Sequence, residues 1–333
     1  MFFGEVALEA AEGAILAHSE AVPGGRLRKG LVLGGAEVTA LRAAGLDRVT
    51  VARLGPGDVG EDQAAARLAA ALVPDPAGQG VRVGEAFTGR VNLNAMGPGI
   101  VEMDAAAIHR LNLVHPAITL ATLTPWHRVA TGMLLGTVKI IAYGVEEAAL
   151  VAACAAARAA IRVRPVVLRD AVLVMTKAPG LDAKVAAKGR RAVEARLRAL
   201  GMRLAGVESV PHEEAALTAA LRRAGGEMVL ILTGSATSDL QDTAPAAVRA
   251  AGGHVARFGM PVDPGNLLFH GTMGGRPVIG LPGCARSPAL NGADWVLERL
   301  ACGVSLTDAD IAAMGVGGLL KEIPLRPQLR EPE

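Results

Sequence analysis

From about residue 165 to 302, apolar runs of strand length alternate with amphipathic stretches of helix length. The pattern predicts strands over 166–176, 203–210, 228–233, 254–258 and 277–281, and helices over 182–200, 213–224, 242–251 and 287–302. The run from Met228 to Leu232 has no polar face, as expected of a strand buried on both sides. Such alternation folds as an α/β domain: a three-layer, doubly wound, mostly parallel sheet with right-handed crossovers.

The preceding residues follow a less regular order. Strands are predicted over 27–33, 49–54, 81–93, 118–123 and 133–145, and helices over 8–17, 38–44, 60–73 and 104–112, with Asp58 as a cap for the third. Irregular order means an α+β domain rather than repeated βαβ units. An Ala-rich helix over 146–161 leads to a linker at 162–165. The expected division is therefore 1–162, 163–303 and a C-terminal tail, 304–333, whose Pro-rich, charged end (IPLRPQLREPE) reads as extended chain.

Composition narrows the function classes. With 333 residues the chain has room for roughly two domains at about 150 residues each. Residues are 51% apolar but only 2% aromatic, so the cores must be packed with Ala, Val, Leu and Ile. A net charge of +2, with two Trp, one Tyr and five Phe, gives neither the field nor the stacking platforms of a nucleic-acid binder. Cys154, Cys284 and Cys302 are too scattered for a disulfide framework, and the seven His residues have no metal-site spacing, so no metal cage is expected. No uncharged apolar window is long enough for a span, and the start carries Glu5 and Glu9 rather than a basic segment. A cytoplasmic protein without a membrane role is the expectation.

In a doubly wound sheet, ligands sit beyond the carboxyl ends of the strands. Three loops leave that edge. The first follows the most apolar strand and enters a helix: Thr233, Gly234, Ser235, Ala236, Thr237 and Ser238 offer amides and hydroxyls to an anion at a helix N-terminus. Asp239 and Asp242 in the same loop suit an N–H edge, a hydrated cation or proton transfer, while Asp242 reads equally as a plain N-cap. The second loop contains Pro282, Gly283, Cys284, Arg286 and Ser287. There Arg286 is suited to gripping phosphate, Ser287 to capping the next helix and Cys284 to packing; a tight turn with a solvated Arg is the alternative. The third offers Lys177 and Lys184 to a phosphate and Asp182 as a cap or ligand contact, with Lys188, Arg190 and Arg191 spread over the helix surface. Asn92 and Asn94 share one face of an exposed strand. No role follows for Trp126 or His127.

At these loops the sequence resembles a known family. TGSATSDLQDTAPAAV is similar to the Gly-Thr-Gly plus Asp-x-Thr-Pro loop of the molybdopterin-binding fold shared by molybdopterin adenylyltransferases and molybdotransferases. DPGNLLFHGTMGGRPVIGLPGCARSP resembles a segment of the molybdotransferases, and VALEAAEGAILAHS their opening helix. TGRVNLNA, ITLATLTP and GTVKII look like a subgroup in which this region stands alone or precedes a molybdenum cofactor cytidylyltransferase domain. The resemblance implies a pterin-phosphate site near Thr233 to Ser238, Asp239 or Asp242 against the pterin, and Asp182 at a family acidic position. It departs at Ser235-Ala236, which replaces a Gly-rich pair, and in the Asp-Leu-Gln-Asp spacing. About 30 residues follow the last predicted helix, too few for the molybdotransferases' C-terminal β domain.

The implied function is binding of molybdopterin or molybdenum cofactor during its biosynthesis or delivery. The implied partners are a molybdenum cofactor nucleotidyltransferase or a target molybdoenzyme, with assembly as a homo-oligomer. One alternative is a molybdotransferase-like or adenylyltransferase enzyme using Mg2+. The other is a nucleotide pyrophosphate hydrolase of the competence-damage-inducible type.

Overall fold

The computed structural model describes residues 1–177, 182–263 and 265–320. The expected loop residues 178–181, Pro264 and the charged end from residue 321 lie outside these. The chain divides into two compact units: Met1–Gly97 with Val101–Arg164, and Pro98–Ile100 with residues from Pro165 onward.

The first unit is strand-rich. One antiparallel sheet pairs Phe2–Ala7 and Ile15–Leu16 with the strand Arg48–Arg53 between them. A four-stranded antiparallel sheet runs Ile118–Thr122, Leu134–Ile140, Arg90–Ala95, Val81–Val83. In Arg90–Ala95, Val91, Leu93 and Ala95 point into the core while Asn92 points out, the period of two that marks a half-buried strand. The helix Glu61–Leu72 buries Ala64, Ala65, Leu68, Ala69 and Leu72 against this sheet, the spacing of one helical face.

Several local expectations change here. Residues 8–17 form a 3-10 turn, Leu8–Ala10, and a short strand rather than a helix. The run 27–33 is not a strand: Leu27 ends the hairpin of Glu20–Val22 with Gly25–Leu27, turned at Gly24, whose φ of 87° suits glycine, and Val32 makes only an isolated bridge to Ile15. Asp58 does not cap the following helix. Its carboxylate accepts from the Gly55 amide at 2.7 Å and pairs with the Met1 ammonium at 2.8 Å. The expected linker at 162–165 is part of a strand, Ile161–Pro165.

The second unit has a six-stranded sheet. Its strands are β1 (Asp170–Lys177), β2 (Arg203–Pro211), β3 (Val229–Leu232), β4 (His254–Met260), β5 (Asn266–Met273) and β6 (Arg276–Gly280). Its helices are α1 (Ala183–Ala199), α2 (Glu214–Arg223), α3 (Thr243–Ala250), α4 (Gly292–Ala301) and α5 (Asp308–Ala313). The sheet order is β2-β1-β3-β6-β5-β4, parallel from β2 to β6 and antiparallel from β6 to β4. One face packs on α1, α4 and α5 through Val193, Leu197, Val296 and Ile311. The other packs on α2 and α3 through Leu217, Leu221, Ala247 and Val248. Every residue of β3 is buried, because both faces are covered. The three-layer, mostly parallel fold is thus as the alternation implied.

The strand β5 was not among those expected, and two further element boundaries change. Ser287 does not open the last long helix. A 3-10 turn, Gly283–Arg286, comes first, and α4 starts after Asn291, whose side chain and that of Asp294 form a capping box. Residues 304–320, expected as tail, contain α5, whose Ile311 and Met314 are buried in the core beside Met260 and Leu268. Ile311 on α5 and Met314 at its C-cap lie three apart and bury in the same core.

Candidate functional site

β1, β2, β3 and β6 end at Lys177, Pro211, Leu232 and Gly280, so the loops that follow share one edge of the sheet. Here the β3 and β6 loops singled out in the sequence meet, and Thr176 of β1 meets the β3 loop; most of the third loop, 178–181, lies outside the described residues. Arg286 follows β6 and donates from its terminal Nη2 to the Thr233 carbonyl at the end of β3. Its Nε is buried with no hydrogen-bond partner, and burial holds the guanidinium below its ordinary pKa. No carboxylate pairs with it among the described residues. A half-buried cation lacking an anion is the main electrostatic feature of this edge.

The stem of Arg286 runs beneath α1 where the helix carries Gly189. A Cβ there would lie 3.2 Å from the Arg286 Cγ and 2.8 Å from the Leu232 Cδ2. The buried Arg196 of the same helix fixes the loop beyond. It donates to the carbonyls of Ala285 at 2.7 Å, Ser287 at 2.8 Å and Ala289 at 3.1 Å, and pairs with Asp294 at 2.6 Å. Five donors in a planar fork suit such a knot of carbonyls.

The loop after β3 differs from expectation at Gly234. Its amide is already engaged, donating to the Thr176 Oγ1 at 2.8 Å. The amides of Ser235, Ala236 and Thr237, by contrast, donate to no protein acceptor among the described residues. Ser235, Ala236 and Ser238 are exposed while Thr233 and Thr237 are buried, so the loop is anchored at two threonines and open between them.

Asp242 is the N-cap of α3. Its Oδ1 accepts from the Thr243 amide at 2.7 Å and its Oδ2 from the Ser238 amide at 2.9 Å. Both oxygens are thus engaged in shaping the loop. Asp239 is exposed, with Oδ1 accepting from the Gln241 amide at 2.7 Å. Among the described residues no three His, Cys, Asp or Glu side chains converge as a metal site. In the third loop Asp182 caps α1, accepting from the Lys184 amide at 2.7 Å, and Lys177 and Lys184 are exposed. Pro282 is buried and Gly283 exposed at the turn that carries Arg286.

The family model for a "Probable molybdopterin binding domain" matches residues 179–301. These residues are a molybdopterin-binding-type domain. Another model, a domain of unknown function (DUF8806), matches residues 5–53 in the first unit. No curated protein matches the chain. Among solved structures, the molybdopterin biosynthesis enzyme MoaB from Thermus thermophilus shares 19% identity, covering 41% of this chain and 98% of that one, with a TM-score of 0.29. The protein CinA, of unknown function, from Thermoplasma acidophilum shares 14% identity, covering 36% and 90%, with a TM-score of 0.30.

The molybdopterin-binding-type domain also places residues at the edge that the sequence left without a role. Thr176 is 2% exposed at the end of β1, and His212 is the residue directly after β2, half-buried, with Nδ1 2.8 Å from the Thr176 Oγ1. The signal for His212 was available: it is a polar ring at the carboxyl end of a parallel strand, where ligands bind. Arg196 and Gly189 gave none, since a helical Arg and a helical Gly acquire meaning only from what they pack on.

Proposed function

We propose that the loops following β3 and β6 bind the phosphate of a pterin phosphate, molybdopterin or the molybdenum cofactor made from it, in the biosynthesis or delivery of that cofactor. The observation that carries the reading is Arg286. Burying a guanidinium without a counter-ion is unfavourable, and a phosphate beside it would supply the missing charge. The unpartnered amides of residues 235–237 support the same ligand from the neighbouring strand end. The match to the molybdopterin-binding family supports a pterin as the group that carries the phosphate.

The geometry favours holding over chemistry. Asp242 has both oxygens occupied by backbone amides, which leaves Asp239, of the two, as the carboxylate available for proton transfer. A binding protein of this kind hands its ligand on, so the reading includes a cytoplasmic nucleotidyltransferase or target molybdoenzyme as receiver. Calorimetry of the full chain with molybdopterin tests it. The Arg286→Gln variant is expected to bind about 10- to 100-fold more weakly, the range for a lost charge-assisted hydrogen bond. Absence of binding by the unaltered chain overturns the reading, and turnover of the pterin with Mg2+ would replace it with the transferase alternative.

A further inference from the structure

The contacts at the sheet edge follow the order of the strands. His212 after β2 meets Thr176 of β1, Thr176 meets Gly234 after β3, and Arg286 after β6 meets Thr233 of the same β3 loop. One hydroxyl therefore serves both a ring and a loop, at 2.8 Å to each.

The hydroxyl of Thr176 has one proton and two lone pairs. One lone pair accepts the Gly234 N–H. If Nδ1 of His212 also donated to the oxygen, the hydroxyl proton of a residue 2% exposed would have no acceptor among the described residues. A buried donor left unmade is unfavourable by about 1–3 kcal/mol. The favoured arrangement has the hydroxyl donating to Nδ1, which puts the ring proton on Nε2. Nε2 points away from Thr176, because the two ring nitrogens lie on opposite sides of Cε1. The ring is half-exposed, and its backbone is tied by the His212 amide donating to the Lys177 carbonyl at 3.1 Å.

We propose that His212 is a ligand-binding residue that presents a fixed Nε2–H donor to a phosphate oxygen, and that Thr176 is the positioning residue that sets its tautomer. The inference rests on the phosphate reading above and extends it. The anion is contacted from three strand ends: Arg286 after β6, the amides of 235–237 after β3 and His212 after β2. Because the Gly234 amide occupies the same hydroxyl, the shape of the β3 loop and the ring tautomer are set together. Loss of the Thr176 hydroxyl would release both.

The test is nitrogen-15 NMR of the full chain labelled at histidine and backbone, with inorganic phosphate as the probe. In the free protein His212 is expected as the Nε2–H tautomer, and phosphate should shift Nε2 together with the amides of Ser235, Ala236 and Thr237. Thr176→Ala should give a mixture of tautomers and about tenfold weaker phosphate binding, the equivalent of one hydrogen bond. Thr176→Ser should restore both, which separates positioning from packing. His212→Gln, whose amide nitrogen can stand near the position of Nε2, should bind more tightly than His212→Phe. An Nδ1–H tautomer, or an Nε2 signal unmoved while phosphate shifts the three amides, overturns the role of His212 and leaves the phosphate reading standing. Amides unmoved by phosphate in the unaltered chain overturn both.

Discussion

Gly189 and Arg286 form a pair that works through an absent side chain. Alanine in place of glycine in a helix interior ordinarily stabilises by about 0.8–1 kcal/mol. At Gly189 the new methyl meets Leu232 at 2.8 Å and the Arg286 stem at 3.2 Å, and overpacking of this kind costs about 1–3 kcal/mol. Gly189→Ala is therefore expected to lower the melting temperature and weaken phosphate binding together, whereas Lys188→Ala one position away, on an exposed site, should change neither. Thermal melts and a phosphate titration of both variants check this. Residue-level legibility in the sequence was uneven for a physical reason. Arg286 could be placed at the carboxyl edge of the sheet because the loop that carries it leaves a parallel strand there. Gly234 was misread because its amide is claimed by Thr176, a partner 58 positions away. Asp242, open between cap and ligand contact, has the geometry of a cap.

Among the elements, the loop between β6 and α4 depends on a helix that is distant in sequence. Arg196 of α1 holds three of its carbonyls and the capping carboxylate of α4. Removing one partner of a buried ion pair is destabilising by about 3–5 kcal/mol, so Arg196→Ala is expected to lose that much in urea denaturation. Asp294→Asn should lose less, because an amide oxygen still accepts. The cap at α3 gives a gentler prediction. Asp242→Ala removes acceptors for two amides and should lower stability by about 0.5–2 kcal/mol. It should weaken phosphate binding too, since the loop of 235–237 loses its fixed shape. Asp242→Asn, which keeps a capping oxygen, should recover most of both. Element existence was legible wherever the period was sustained, as in α1 and β3. The start of α4 was not, because Ser287 has the composition of a cap but its backbone leads into exposed Pro288 to Leu290, and the local capping box of Asn291 with Asp294, three residues on, sets the start instead.

For the whole molecule, the two units differ in how openly the sequence declares them. The layered plan of the second follows from alternation, since central parallel strands covered on both faces must be nearly all apolar, but β5 and α5 were not among the expected elements. The first has short antiparallel strands set by turns, and its 8–17 and 27–33 segments take their form from pairing with residues elsewhere in the chain. Stability should also respond to pH through one buried ring. His270 on β5 is 4% exposed, with Nε2 unpartnered, and burial pushes its pKa down, opposed by Asp308 and reinforced by Arg257. The unfolded chain takes up the proton near the ordinary value of about 6.5, while the folded chain resists it. Stability present above that pH is therefore lost as pH falls toward the depressed folded value. Urea denaturation at pH 7 and pH 5 should show the loss, and His270→Leu should shrink the difference between the two.

The order of the strands has a consequence in time. β3 pairs on one side with β1 and on the other with β6, the last strand of the unit to be synthesised. Both pairings join segments roughly 50 residues apart, and contacts so distant along the chain form slowly. Arg286, the group that most demands an anion, enters the edge only once β6 has docked. On the phosphate reading, a growing or partly folded chain lacks that charge, and competence to bind would arrive late in folding rather than accumulate along the way.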